Sequence, residues 1–103
     1  MNVNQNNQEI DLFAIPDGFQ TSDITPETAT KLAAVAGIPE RATHVMVQCT
    51  EAFTYAFTAA HAADGFYVPA NTAKIFSRRD ARAVYIYAAG ENIKLKTQPL
   101  SHD

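Results

Sequence analysis

The side chains of this chain that could do acid–base, nucleophilic or metal chemistry are few and widely spaced. His44 falls in an alternating strand-like segment, His61 in an alanine-rich run and His102 near the C-terminal end. Histidine titrates near neutrality and ligates metals, but no HxH, HxxH or HExxH spacing occurs. A zinc site would therefore have to be assembled from distant segments. Cys49 is the only cysteine, which excludes an internal disulfide and a CxxC metal pair. It sits mid-strand rather than at a helix N-terminus, where its thiol would be activated, so it reads as a small buried hydrophobe. Its offset of five residues from His44 places the two on opposite faces of one strand. Ser22, Ser77 and Ser101 have no GxSxG setting. Glu51, Asp64, Asp80 and Glu91 could be imagined as a carboxylate pair for glycoside hydrolysis, yet all four fall at expected turns, where acids are solvated. The four glycines form neither GxGxxG nor GxxxxGK. The expectation is a protein that is not an enzyme, with no catalytic residue, no cofactor and no metal.

The aromatic and aliphatic residues are the more informative set. If Val84 and Ile86 face a core, Tyr85 and Tyr87 project from the other face of the same strand. Tyrosine offers apolar area with a polar tip, which suits an interface or a sugar-stacking platform. Packing over a second sheet is the ordinary structural alternative. Leu12, Phe13 and Ile15 form a short sticky segment behind a polar tail. It could close the domain's own sheet or reach into a neighbour.

These residues need elements to position them, and the pattern is mostly β. Residues 43–50 alternate, with Val45, Val47 and Cys49 on one face and His44, Met46 and Gln48 on the other. Phe53, Tyr55 and Phe57 share a face of a second strand rich in aromatic and β-branched residues. Residues 59–65 form a loop closed by Asp64-Gly65, Phe66-Tyr67-Val68 follows, and 72–77 is a further strand ending in a turn at Arg78-Arg79-Asp80. Residues 83–88 and 93–98 give the clearest hairpin pattern, with glycine and asparagine in the connection where positive φ is wanted. The tail 99–103 reads as loose. Residues 20–38 are ambiguous. Thr25-Pro26-Glu27 resembles an N-cap, a proline at the first helical position and a first-turn acid, and Gly37 a C-cap, whereas the threonines suit a strand. Short strands with frequent turns point to a mainly β chain. The expected fold is an antiparallel β-sandwich or flattened barrel with at most one short helix near 26–36.

Composition sets the outer limits. A chain of 103 residues fits one domain, here residues 12–100 behind a flexible polar N-terminal arm at 1–11. A domain of this size has a small core, so help from neighbouring copies is expected. The net charge of −3 argues against nucleic acid, which needs a basic stripe. The one close basic cluster, Arg78, Arg79 and Arg82, is interrupted by Asp80. No apolar run of about 18 residues suggests a membrane span. The first residues have neither a basic nor an apolar signal region, so no secretion signal is expected.

The segment 38–100 resembles a group of small bacteriophage virion structural proteins. The resemblance is carried by an ordered series: Ile38-Pro39, the strand RATHVMVQ led by Ala42, the strand TEAFTYAFT, a loop ending in Asp64-Gly65, and a short link containing Pro69. The tyrosine strand 83–88 and a terminal strand through Ile93 and Leu95 complete it. In that group the segment matching 28–35 looks like a strand. The resemblance implies a β-sandwich on the virion, made in the host cytoplasm, acting as a capsid decoration or minor structural protein. It would work by protein–protein assembly with other virion proteins or copies of itself, as a homo-oligomer or part of a larger assembly. On that reading Leu12, Phe13 and Ile15 add to a neighbour's sheet or groove, with Tyr85 and Tyr87 on an interacting face. The alternative is a carbohydrate or cell-surface binding module that uses the two tyrosines.

Overall fold

The computed structural model describes residues 12–102; the arm expected over 1–11 lies outside them. Nine strands and two single-turn helices run in the order β1 (Phe13–Ala14), β2 (Gln20–Ile24), β3 (Thr30–Lys31), α1 (Leu32–Val35), β4 (His44–Cys49), β5 (Phe53–Ala56), β6 (Phe66–Val68), β7 (Lys74–Ser77), α2 (Arg78–Ala81), β8 (Tyr85–Ala88) and β9 (Ile93–Ser101). They form two antiparallel sheets packed as a sandwich. In the larger, β9 is flanked by β4 and β7 on one side and by β1 and β2 on the other. The smaller has the order β3-β8-β5-β6.

Alternation builds the core. Val45, Val47 and Cys49 of β4 stand opposite Pro99, Thr97 and Leu95 of β9, and all six are buried. From the smaller sheet, Phe53, Ile86 and Ala88 close the other side, with Leu32 and Val84 beside them. Each large side chain fully buried here contributes about 1.5–3 kcal/mol. Burial also pushes the Cys49 thiol pKa above its ordinary value, chiefly by desolvation.

Four features differ from the sequence reading. First, residues 83–88 and 93–98 are not a hairpin. β8 pairs with β3 and β5, while β9 pairs with β1, β2 and β4. The turn chemistry is right, since Gly90 has φ 119° and Asn92 φ 57°, but the turn carries the chain from one sheet to the other. Among the described residues only β5 and β6 are consecutive strands that pair. Second, the tail is not loose through Ser101. β9 continues to that residue, held by Phe13 opposite Ser101 and Ala14 opposite Leu100. Pro99 is tolerated in this central strand because its carbonyl, and with it its missing N–H, faces the side where the Pro16–Gly18 turn interrupts pairing. Ile15 N–H donates to that carbonyl at 3.0 Å. Third, the helix expected near 26–36 shrinks to the one turn of α1. Glu27 takes a left-handed φ of 56° and donates its N–H to Ala88 O at 2.8 Å. Thr30 and Lys31 pair with Ile86 and Tyr85. A short helix is marginal alone, and sheet pairing wins there. Fourth, the turn expected at Arg78-Arg79-Asp80 tightens into α2, capped by the Ser77 hydroxyl accepting from Asp80 N–H at 3.2 Å.

Candidate interaction surface

The N-terminal sticky segment takes the intramolecular one of its two options. β1 lies along the chain's own β9, and Ile15 is buried, its carbonyl accepting from Gln98 Nε2 at 2.8 Å. Leu12 is half-buried; Phe13 alone of the three stands well exposed. Within the chain this segment pairs along the side of β9 that β1 fills.

Tyr85 and Tyr87 do project from the face opposite Ile86, but both are half-buried. Tyr85 stands across from Lys31 and Ala56, and Tyr87 from Thr54. Thr54 in turn faces Tyr67 on β6. The outer face of the smaller sheet thus carries three tyrosines, and register adds the third, the most exposed of them. The N-terminal segment and the tyrosines belong to different sheets, so no single paired surface unites them.

What the sequence reading left unmarked is the open edge of the smaller sheet. β6 is an edge strand, so one row of its backbone donors and acceptors has no strand partner. Phe66 is 65% exposed, Tyr67 68% and Phe57 44%. Phe66 and Tyr67 put large apolar areas on a strand of three residues, and Phe57, just past the end of β5, adds to them. Behind them Tyr55 is a hub, its ring centroid 5.4 Å from that of Phe66, 6.2 Å from Phe57 and 5.0 Å edge-on from Phe76. Lys74 Nζ sits 5.6 Å from the Tyr55 centroid and 5.7 Å from that of Phe76, within cation–π range. The edge is thus backed by a cluster of aromatic rings centred on Tyr55. The available signal was the alternation in TEAFTYAFT and FYV; which of those rings would be covered depends on the sheet opposite.

The groups with chemical potential stay apart. His44 points away from the core and Cys49 into it, as their spacing requires. The His44 ring meets Thr43, Nδ1 to Oγ1 at 3.0 Å, and the edge of the His102 ring, with centroids 6.5 Å apart. Among the described residues no three His, Cys, Asp or Glu side chains group closely enough to hold a metal ion. No helix there is long and apolar enough to cross a membrane. Compared with known proteins, the chain matches no family model, no curated protein and no solved structure.

Proposed function

We propose that this chain is a non-enzymatic structural protein of a phage particle, a capsid decoration or minor structural component that works by protein–protein assembly. The observation that carries the assembly role is the exposed aromatic edge formed by Phe66 and Tyr67 on β6, a strand with one unpaired side, with Phe57 just past the end of β5 beside it. Added-strand docking uses such an edge: main-chain hydrogen bonds set register, and side chains on alternate positions supply affinity. Large aromatics give interfaces most of their binding energy per residue. The phage setting rests on the resemblance of residues 38–100.

Two measurements test the two parts. Mass spectrometry of purified particles should find the chain as a stoichiometric component, and its absence would remove the phage setting. Light scattering should show association, with itself or with the particle's other proteins, that Phe66→Ser and Tyr67→Ser weaken by about tenfold or more each. Unchanged association in both variants would remove the edge as the docking site. The second reading, a glycan-binding module, is favoured by one observation: Tyr67, Tyr85 and Tyr87 share the outer face of one sheet. Specific glycan binding lost on Tyr85→Ala would replace assembly with that reading.

A further inference from the structure

Three of the chain's four arginines line one cleft at the end of the sandwich where β7 runs into α2. Arg78, Arg79 and Arg82, with Glu40, Ala42 and Thr43, line an open depression of about 460 Å³. A second hollow of about 270 Å³ adjoins it, sharing Glu40, Arg78 and Arg82 and walled by the small side chains Ala33 and Ala36 and by Gly37. Three guanidiniums against one carboxylate leave this lining with a formal charge of 3 − 1 = +2, on a chain whose net charge is −3.

Backbone hydrogen bonds fix this turn, the Arg78 guanidinium is anchored as well, and among the described residues none of the three guanidiniums pairs with an acid. Arg78 N–H donates to Thr43 O at 2.9 Å, and Arg78 Nη1 to the backbone carbonyl of Glu40 at 2.9 Å. Arg82 N–H closes the helical turn on Arg78 O at 3.1 Å. Among the described residues the only ion pair is Lys94–Asp23, on the outer face of the larger sheet. The side chains of Arg79 and Arg82 therefore meet no acid there, nor does Arg78. Arginine's planar fork matches an oxyanion with paired N–H···O bonds, which gives geometry as well as charge. The acidic remainder of the chain opposes a long polyanion, so the cleft suits a compact one.

We propose that the Arg78–Arg79–Arg82 cleft binds a phosphate-type dianion, either free inorganic phosphate or the terminal phosphate of a small organic monoester. The site is independent of the assembly edge and of the phage setting.

The test is calorimetric titration of the full chain at low ionic strength with inorganic phosphate, glycerol 3-phosphate and glutarate. Phosphate or glycerol 3-phosphate should bind saturably with one site, weaken steeply as salt rises, and shift the backbone amide resonances of residues 78–82. Tighter binding of phosphate assigns the free ion, and tighter binding of glycerol 3-phosphate the ester. The double variant Arg79→Gln, Arg82→Gln should weaken either about tenfold or more. Lys96→Gln, which removes one positive charge on the outer face of the larger sheet, should leave it within about twofold. No saturable binding, glutarate as the tightest ligand, or equal weakening by Lys96→Gln would overturn the site. The amide shifts in the unaltered chain keep the test decisive should the double variant unfold.

Discussion

Phe53 and Phe66 lie in neighbouring strands of one sheet and on the same face of it, yet the first is 1% exposed and the second 65%. Phe53 stands opposite Val68 on one side and Ala88 on the other, while Phe66 stands opposite Tyr55 at the outer edge. Both occur in segments of the same character, aromatic and β-branched with period two. What separates them is the layer above. Over Phe53 the larger sheet supplies Val47, Cys49 and Leu95 to a continuous core. Toward Phe66 that sheet ends at its edge strand β7, whose Lys74 and Phe76 cover Tyr55 but leave the outermost ring in water. Alternation marks a side chain as inward-facing; whether anything meets it there is a property of the partner layer.

The largest expected effect breaks this comparison most directly. Phe53→Ala should destabilise the fold by about 3–5 kcal/mol, the range for a buried phenylalanine lost from a core. Phe66→Ala should cost less than about 1 kcal/mol, as surface substitutions do. Urea unfolding of both variants reads the difference, and equal losses would make the edge part of the core. Next comes a contact at the rim of the packed region. A Cβ built on Gly18 would lie 2.3 Å from Pro99 Cγ, so Gly18→Ala must displace the proline ring and with it the β1–β9 ladder. A loss of about 1–3 kcal/mol is expected, read as a lowered Tm; an unchanged Tm would show that this end of the larger sheet yields freely.

The smallest effect sharpens the contrast from the core side. The Cys49 thiol is held above its ordinary pKa by burial, so the unfolded chain gives up its proton first as pH rises. Above the ordinary thiol range, about 8.5, the unfolded state binds fewer protons than the folded one, and stability falls with pH. Below it the contribution is complete. Comparing Cys49→Ala with the unaltered chain by denaturation between about pH 7 and 10 isolates this share from lysine and tyrosine titration. A parallel pair of curves would show that the thiol opens to solvent at no cost.

Much of the local structure was legible. The strands at 44–49 and 93–98 follow from strict alternation, and the opposite facing of His44 and Cys49 follows from an odd spacing. Gly90 and Asn92 adopt positive φ as their types predict. Partnerships were less visible. The turn between β8 and β9 reverses the chain in a manner that suits a hairpin or a crossing between sheets, and the sequence of the turn is the same for both. The helix signals at Thr25-Pro26-Glu27 and Gly37 were real local preferences of a few tenths of a kcal/mol to about 1 kcal/mol each. They lost to hydrogen bonds donated by Glu27 and Leu32 to Ala88 and Val84. The outward facing of Tyr85 and Tyr87 followed from their parity with Ile86, while Tyr67 was joined to Tyr87 only by register through Thr54.

By itself the sequence determined the class of the fold, because period-two hydrophobicity and turn residues act within about ten neighbours and need no knowledge of the rest. It also determined which residues face inward, since that depends only on parity along each strand. The tertiary structure decided which strands meet, which inward rings remain uncovered, and that Glu40, Thr43 and three arginines line one cleft. Those are contacts between segments up to 88 residues apart, such as Phe13 of β1 on Ser101 at the end of β9. Their selection is made by the free energy of closing the whole sandwich, in which each local preference is a small term.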